Sequence, residues 1–499
     1  MKYHMMLMSL LCLLFSSIVQ ADVLFDEYFV DKALRIDYYQ TGDAKEETIA
    51  IDRLCEEPIW PGSKANLIFP FNYGRYVFKV YDVASNRLIF CKSFDCMFGE
   101  YKTTTPALNG SKKTFRRSLR MPMPKRPVLL SIELRDKYNL GHPIFRQTID
   151  PLDYHIIRES MQSNDYIVTV MKNGDPHDKV DLVFLGEGYT REQQTKFETD
   201  VKKNVQYLFE IEPYQSHRTR FNIYAILSPS NESAVDEPRE CVYRNTTLNA
   251  SFNAFDLDRY LLTEEGIRIQ EIAGQVPCDA VVILVNSPRY GGGGIFNDYC
   301  ITTVDNERSK MVFLHELGHS FGGLADEYYA SEVAYNEFYP PGVEPLEPNI
   351  TALLDPSRVK WQDQLAPGIA VPTEYGKILR DSLSTERKKI LKKRDQELQT
   401  AKGKNATEKE LAKITERYGK LEGQIKKELE EVEERYASLN DKVGVFEGAG
   451  YATKGLYRPM IYCLMIHHPK NEFCLVCQKA ISRIIDYYCG MNVDTKTQK

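Results

Sequence analysis

Phe313-Leu314-His315-Glu316-Leu317-Gly318-His319-Ser320-Phe321 is the stretch on which the reading of this chain turns. An α-helix completes a turn in about 3.6 residues, so His315 and His319 share one face and both imidazoles can reach a single ion. Glu316 follows the first of them, where a carboxylate can act as the general base of metal-assisted hydrolysis. Zinc suits such a set, because it accepts nitrogen and oxygen donors and keeps a position open at catalytic sites. With nine histidines among 499 residues, His-Glu-x-x-His arises by chance in on the order of one chain in a hundred. The apolar Val312-Phe313-Leu314 would seat the helix on a core, and Gly322-Gly323 would end it.

The chain next runs through Leu324-Ala325-Asp326-Glu327-Tyr328-Tyr329, returning acidic groups towards the histidines. A catalytic zinc needs a third protein ligand, for which Asp326 is the first candidate and Glu327 the alternative. The metzincin pattern His-Glu-x-x-His-x-x-Gly-x-x-His is matched as far as Gly322. Ala325 stands where its third histidine would be and Asp326 follows at once, and a carboxylate can replace imidazole on zinc. The run 315–328 resembles the IgA peptidase family of metzincin-like, secreted bacterial zinc peptidases. Leu185-Gly186-Glu187-Gly188-Tyr189-Thr190, Glu447-Gly448-Ala449-Gly450-Tyr451, and Tyr457-Arg458-Pro459 leading to Cys463-Leu464-Met465 resemble it as well. The likeness spans about 168–488.

That resemblance implies a metalloendopeptidase with one catalytic Zn2+, His315, His319 and Asp326 as ligands and Glu316 as base. It implies a methionine turn, Met465, as the hydrophobic floor beneath the metal; Met465 is otherwise ordinary core filler. His467 occupies the place of a tyrosine that in some metzincins stabilises the transition state, although His467 and His468 equally suit an exposed loop. Gly291-Gly292-Gly293-Gly294, followed by Ile295-Phe296, lacks the lysine and hydroxyl residue of a phosphate loop and reads as flexible backbone beside an edge strand, where extended substrate would add as a further strand. The partner is a protein or peptide substrate; a host glycoprotein or an immunoglobulin is the class the family name suggests.

Working outward, short alternating runs such as Tyr76-Val77-Phe78-Lys79-Val80-Tyr81 and Val128-Leu129-Leu130-Ser131-Ile132-Glu133-Leu134 predict an N-terminal β-sandwich over 22–160, structural or substrate-docking in role. Beyond Gly174-Asp175-Pro176, strands (Val180-Asp181-Leu182-Val183-Phe184-Leu185, 221–224, 280–285) alternate with helical stretches (192–208, 311–321). The expected fold is therefore α+β or α/β: a β-sandwich, then a metzincin-like peptidase domain over 168–495. Residues 375–442, rich in Lys, Glu, Arg and Leu and without Pro, predict an inserted helical, coiled-coil-like hairpin. Leu411, Ile414, Tyr418, Leu421 and Ile425 would form one seam and Leu383, Ile390 and Leu398 the other, with Thr407 and Glu410 as a capping box.

Lys2, the apolar run 5–18 and Val19-Gln20-Ala21 have the form of a signal peptide cleaved after Ala21, which places the protein in the periplasm or outside the cell, with no transmembrane anchor. Beyond Cys12 the remaining ten cysteines form an even set, which in an exported protein favours disulfides over a redox or zinc-knuckle role for Cys474-x-x-Cys477. A formal charge of -6 gives no basis for nucleic-acid binding. The rival reading is a non-catalytic surface binding protein with a structural metal, which would need no base such as Glu316 beside a closed coordination shell.

Overall fold

Period-two patterning in the first third of the chain becomes paired antiparallel strands in the computed structural model, which describes residues 23–159, 163–329, 338–466 and 471–493. A helical turn α1 (Phe25–Tyr28) leads into β1 (Phe29–Gly42) and β2 (Glu47–Glu57), followed by β3 (Tyr76–Asp82) and β4 (Leu88–Phe94). Two short helices, α2 (Met97–Tyr101) and α3 (Thr105–Leu108), precede β5 (Lys113–Pro124), β6 (Val128–Arg135) and β7 (Gly141–Ile149). These strands make two antiparallel sheets, ordered β2-β1-β5 and β4-β3-β6-β7. Tyr76, Phe78 and Val80 of β3 and Val128, Leu130 and Ile132 of β6 point into one buried cluster that also takes Leu34 and Ile36 of β1. That spacing is the signature of strands with one face on a core.

The next unit comprises β8 (Tyr166–Met171), β9 (Val180–Glu187), α4 (Gln194–Leu208), β10 (Phe221–Leu227), α5 (Gly266–Ala273), β11 (Ala280–Val285), β12 (Gly292–Ile295), β13 (Tyr299–Thr303) and α6 (Ser309–Ser320). Its sheet runs β12-β13-β11-β9-β10-β8. The four central strands are parallel, and the two edge strands, β12 and β8, pair antiparallel. Every residue of β9 and β10 is buried, as expected of strands covered on both faces. Val183 and Leu185 of β9 join the cluster of the N-terminal sheets. Leu182 and Phe184, on the opposite face, join the helices α4 and α6. The N-terminal sheets thus share a hydrophobic core with the mixed sheet. The buried Arg117–Asp298 ion pair and the Asp95 N–H to Phe296 carbonyl bond (2.9 Å) fasten the two further.

The chain continues as α7 (Lys377–Gly403), α8 (Glu408–Tyr436), β14 (Phe446–Ala449), β15 (Ala452–Arg458) and α9 (Leu475–Tyr488), the last packing beside α6. α7 and α8 lie antiparallel, cross-linked by Arg387–Glu422 and Arg417–Glu397. Thr407 and Glu410 form the reciprocal capping box that restarts the chain as α8. Leu383, Ile425 and Val432 are the buried seam. Leu421, expected there, is instead 43% exposed. Glu422 takes the inward position, because Arg387 across the seam supplies a partner that a leucine could not use. The two ends of the hairpin meet, since a side-chain carbon built on Gly376 would touch the Tyr436 ring at 2.6 Å. Few of its residues reach the main core, so replacing 383–440 with a short Gly/Ser linker should leave a cooperatively unfolding protein that still cleaves small peptides. Loss of the cooperative transition by circular dichroism would show that the arm belongs to the core.

All ten cysteines within the described residues are free thiols, eight of them buried, so the disulfide expectation is not met. Buried thiols here behave as small apolar side chains with weak local hydrogen bonds, as Cys96 accepting from Gly99 N–H (3.4 Å) shows. Among the described residues no helix is long and apolar enough to cross a membrane. The expected leader, 1–21, lies outside them.

Candidate active site

Helix α6 runs beneath the edge strand β12 at unusually close range. A side-chain carbon on Gly294 would lie 2.3 Å from the Glu316 carbonyl oxygen, and one on Gly292 would lie 2.6 Å from Val312. The glycines therefore do not provide a flexible loop beside the edge strand. Gly292 to Gly294 form the strand itself, with Gly292 and Gly294 small because α6 needs the room and Gly291 and Gly293 small because residues 252 and 259–262 press on the other face. At the other end of α6, Gly323 adopts φ +61° and turns the chain back. The Leu324 carbonyl then meets His319 Nδ1 at 2.6 Å.

His315 Nδ1 lies 3.0 Å from the Leu464 carbonyl. A ring nitrogen facing a carbonyl has to be the donor, so both rings keep Nδ1–H and turn Nε2 inward. The two Nε2 atoms are 3.1 Å apart, and Asp326 Oδ1 lies 3.0 Å and 3.3 Å from them. A tetrahedral zinc with bonds of about 2.0–2.1 Å holds its ligand atoms about 3.3 Å apart, so this triangle has the size of one tetrahedral face. Asp326 Oδ1 is buried and forms no well-directed hydrogen bond despite those short distances. Two ring nitrogens and a carboxylate oxygen thus converge on one point, which a proton shared by the histidines or a cation in its place can occupy. Glu316 completes the group, with one carboxylate oxygen and the two histidine nitrogens all within 4.8 Å of one another.

Electrostatics follow from that crowding. Burial disfavours a charged His319, but the adjacent Asp326 carboxylate overrides it and holds the imidazolium up to about 9 in the metal-free protein. The two histidines in turn hold Asp326 far below the usual carboxylate range, against burial. Burial raises Glu316, with the histidines opposing.

Neighbouring elements fix the geometry. Tyr451 donates its hydroxyl to Asp326 Oδ2, leaving Oδ1 for the histidine side. The β14–β15 turn clasps the same loop through Gly450 N–H to Asp326 O (3.0 Å) and Tyr451 N–H to Tyr328 O (2.9 Å). The Tyr328 ring lies parallel to His315, with centroids 6.4 Å apart. Met465 is fully buried against α6, where a side-chain carbon on Gly318 would meet its sulfur at 2.9 Å. Arg75, just before β3, and Glu100, on α2, line the same cleft.

The structure thus brings His315, Glu316, His319, Asp326 and Met465 together. It does not bring Glu327 into that group. The Glu327 carboxylate accepts instead from Asn349 Nδ2 (2.9 Å) and lies beside Cys477. His467 and His468 lie outside the described residues. Sequence reasoning missed Tyr451, 125 positions from Asp326, as well as the two carbonyls that set the histidine tautomers. It gave the N-terminal stretch a structural or substrate-docking role without naming residues; Arg75 and Glu100 of that stretch line one wall. The only sequence signal for Tyr451 was its glycine-flanked turn, Gly448-Ala449-Gly450-Tyr451.

No curated protein matches the chain. The family profile described as IgA Peptidase M64 matches residues 168–485, and that described as Peptidase M64 N-terminus matches 24–146. The first match alone covers well over half the chain and contains α6, the Asp326 loop and the β14–β15 turn. The site and the sequence therefore lead to one assignment: this chain belongs to the IgA peptidase M64 family and is a metallopeptidase.

Proposed function

We propose that the chain is a secreted zinc endopeptidase in which His315, His319 and Asp326 hold one catalytic zinc and Glu316 is the general base. The observation that carries this reading is the triangle of two nitrogens and one oxygen with edges of 3.0–3.3 Å and the half-buried Glu316 carboxylate beside it. Zinc, when bound, supplies Lewis acidity towards a carbonyl and a lowered water pKa. Glu316 takes the proton from the attacking water and delivers it to the departing amine. Burial raises its pKa towards the range in which one carboxylate can serve both steps at neutral pH. Tyr451 orients Asp326, the Leu464 and Leu324 carbonyls orient the two rings, and Met465 floors the site in the manner of a metzincin. The backbone of β12 offers an extended substrate a strand to pair with. His467 is retained as the candidate that would stabilise the transition state. We read 1–21 as a removed signal peptide, the product being periplasmic or extracellular, and 375–442 as an insertion in a domain over 168–495. A structural metal site in a binding protein would not require a further carboxylate such as Glu316 at its edge.

Chelation followed by dialysis should abolish cleavage of a mixed peptide library, and stoichiometric zinc should restore it. Undiminished cleavage after verified metal removal would overturn the proposal. The same metal-free protein makes a second measurement possible. Because Asp326 holds His319 protonated up to about 9, zinc uptake at pH 7 should release a proton, visible with an indicator dye. Zinc affinity should fall about tenfold per unit of pH lost for that proton. Stability of the metal-free fold should run the other way. A histidine raised in the folded state stabilises fully below its unfolded value of about 6.5, and that contribution is lost as pH rises towards about 9.

A further inference from the structure

Glu327, one residue past Asp326, belongs to a second cluster that the peptidase mechanism does not use. One of its carboxylate oxygens and the sulfurs of Cys463, Cys474 and Cys477 all lie within 4.8 Å of one another. All four residues are buried, Glu327, Cys463 and Cys477 completely so. Cys463 Sγ and Cys477 Sγ are 3.7 Å apart, and Cys477 Sγ lies 3.3 Å from Glu327 Oε1. A disulfide would need about 2.05 Å. A tetrahedral zinc with Zn–S bonds of about 2.3 Å spaces its sulfurs about 3.8 Å apart.

Glu327 Oε2 is buried and accepts no hydrogen bond. An unmatched buried carboxylate oxygen is costly, and a polar group of this kind calls for a partner. Arg458, whose charge reaches Glu327, directs its Nη1 to the carbonyls of Glu447 and Gly448. At one of the three sulfurs the surroundings favour a thiolate, whereas burial holds Cys463 and Cys477 as thiols until a cation replaces their protons. Cys474 is the N-cap of α9, where unpaired N–H groups and the helix dipole stabilise a thiolate. Cys474 N–H itself points at Cys463 Sγ, 3.3 Å away.

We infer that Cys463, Cys474, Cys477 and Glu327 form a second, closed metal site for a thiophilic divalent cation of the zinc class, structural in role. Three thiols and one carboxylate make a complete tetrahedral set with no position left for water, and binding would release the thiol protons to solvent. The ion would join three segments that the active site depends on. One is the loop holding Asp326; the second carries Leu464, whose carbonyl orients His315, and Met465; the third is the start of α9. Glu327 N–H already bonds to the Met465 carbonyl at 2.8 Å, so two of these segments touch at the cluster. The site also accounts for three cysteines that sequence reasoning had assigned to disulfides. It stands independently of whether the chain cleaves peptides.

The test uses the full-length protein, purified anaerobically with reductant. Wild type should contain two equivalents of zinc and His319→Ala one. Cobalt-substituted wild type and His319→Ala should both show the intense near-ultraviolet thiolate-to-cobalt charge-transfer band, which a histidine–carboxylate site cannot give. Glu327→Gln, milder than removing a cysteine, should lose that second equivalent to a chelator at least about tenfold more readily than wild type, as expected of a removed ligand. One equivalent in wild type falling to none in His319→Ala would overturn the inference. So would a cobalt spectrum without the thiolate band, or a thiol titration of a parallel sample, purified without reductant and then denatured, that finds two of these cysteines paired.

Discussion

Glu316→Gln should leave the chain folded and its zinc in place, yet lower peptide hydrolysis by at least about a hundredfold. The substitution keeps the size of the side chain and its hydrogen-bonding capacity while removing the basic carboxylate. Folding should survive because the methylene groups of Glu316, which pack under Gly292, remain. Metal should survive because the ligand triangle is made by other residues. The pH profile offers a second readout. The acid limb of kcat/KM that reports protonation of Glu316 should be present in the wild type and disappear in the variant. Near-normal turnover by zinc-loaded Glu316→Gln, with contaminating protease excluded, would overturn its assignment as the base.

His319→Ala should have the larger effect: the ion held by the histidine pair should be lost, and peptide cleavage with it, by about three orders of magnitude or more. Two ligand atoms cannot hold a catalytic zinc against dilution as three can, and the vacated volume would let Asp326 relax towards Tyr451. Asp326→Ala should behave in the same way. Glu327→Ala should keep the ion at the histidines, because its carboxylate faces Asn349 and the cysteines. Retention of that ion in His319→Ala, or its loss only in Glu327→Ala, would redraw the ligand set.

The histidine helix was legible because its chemistry sits in nine consecutive residues and its spacing is dictated by helical geometry alone. Asp326 was legible because the chain returns within seven residues of His319. That it, and not Glu327, lies beside the histidines shows only in the structure, since adjacent residues on an irregular loop have no fixed direction. The glycine run was seen and misjudged: four glycines look flexible in a sequence, and only the approach of α6 on one face and of residues 252 and 259–262 on the other shows that they are there for close contact. Leu421 was misplaced for a related reason. A 3-4 count ranks leucine above glutamate, but an arginine on the facing helix reverses that ranking. The cysteines showed where counting fails, because an even number says nothing about distance. Tyr451 depended on a tertiary contact that no local pattern carries.

The core shared by the N-terminal sheets and the mixed sheet limits how a gene for this protein can be divided. A fragment beginning at residue 168 would retain the entire peptidase match. It would also carry Val183, Leu185, Tyr224, Ile226 and Ile283 on a sheet face stripped of its cover. A bare apolar face of that kind invites aggregation, and Arg75 would be missing from the cleft. The segment matched as the M64 N-terminus is in this sense half of the enzyme's interior rather than an accessory. Any shortened version for expression, or any fusion that swaps the first 150 or so residues for those of a relative, has to supply a matching buried surface as well as a matching sequence boundary.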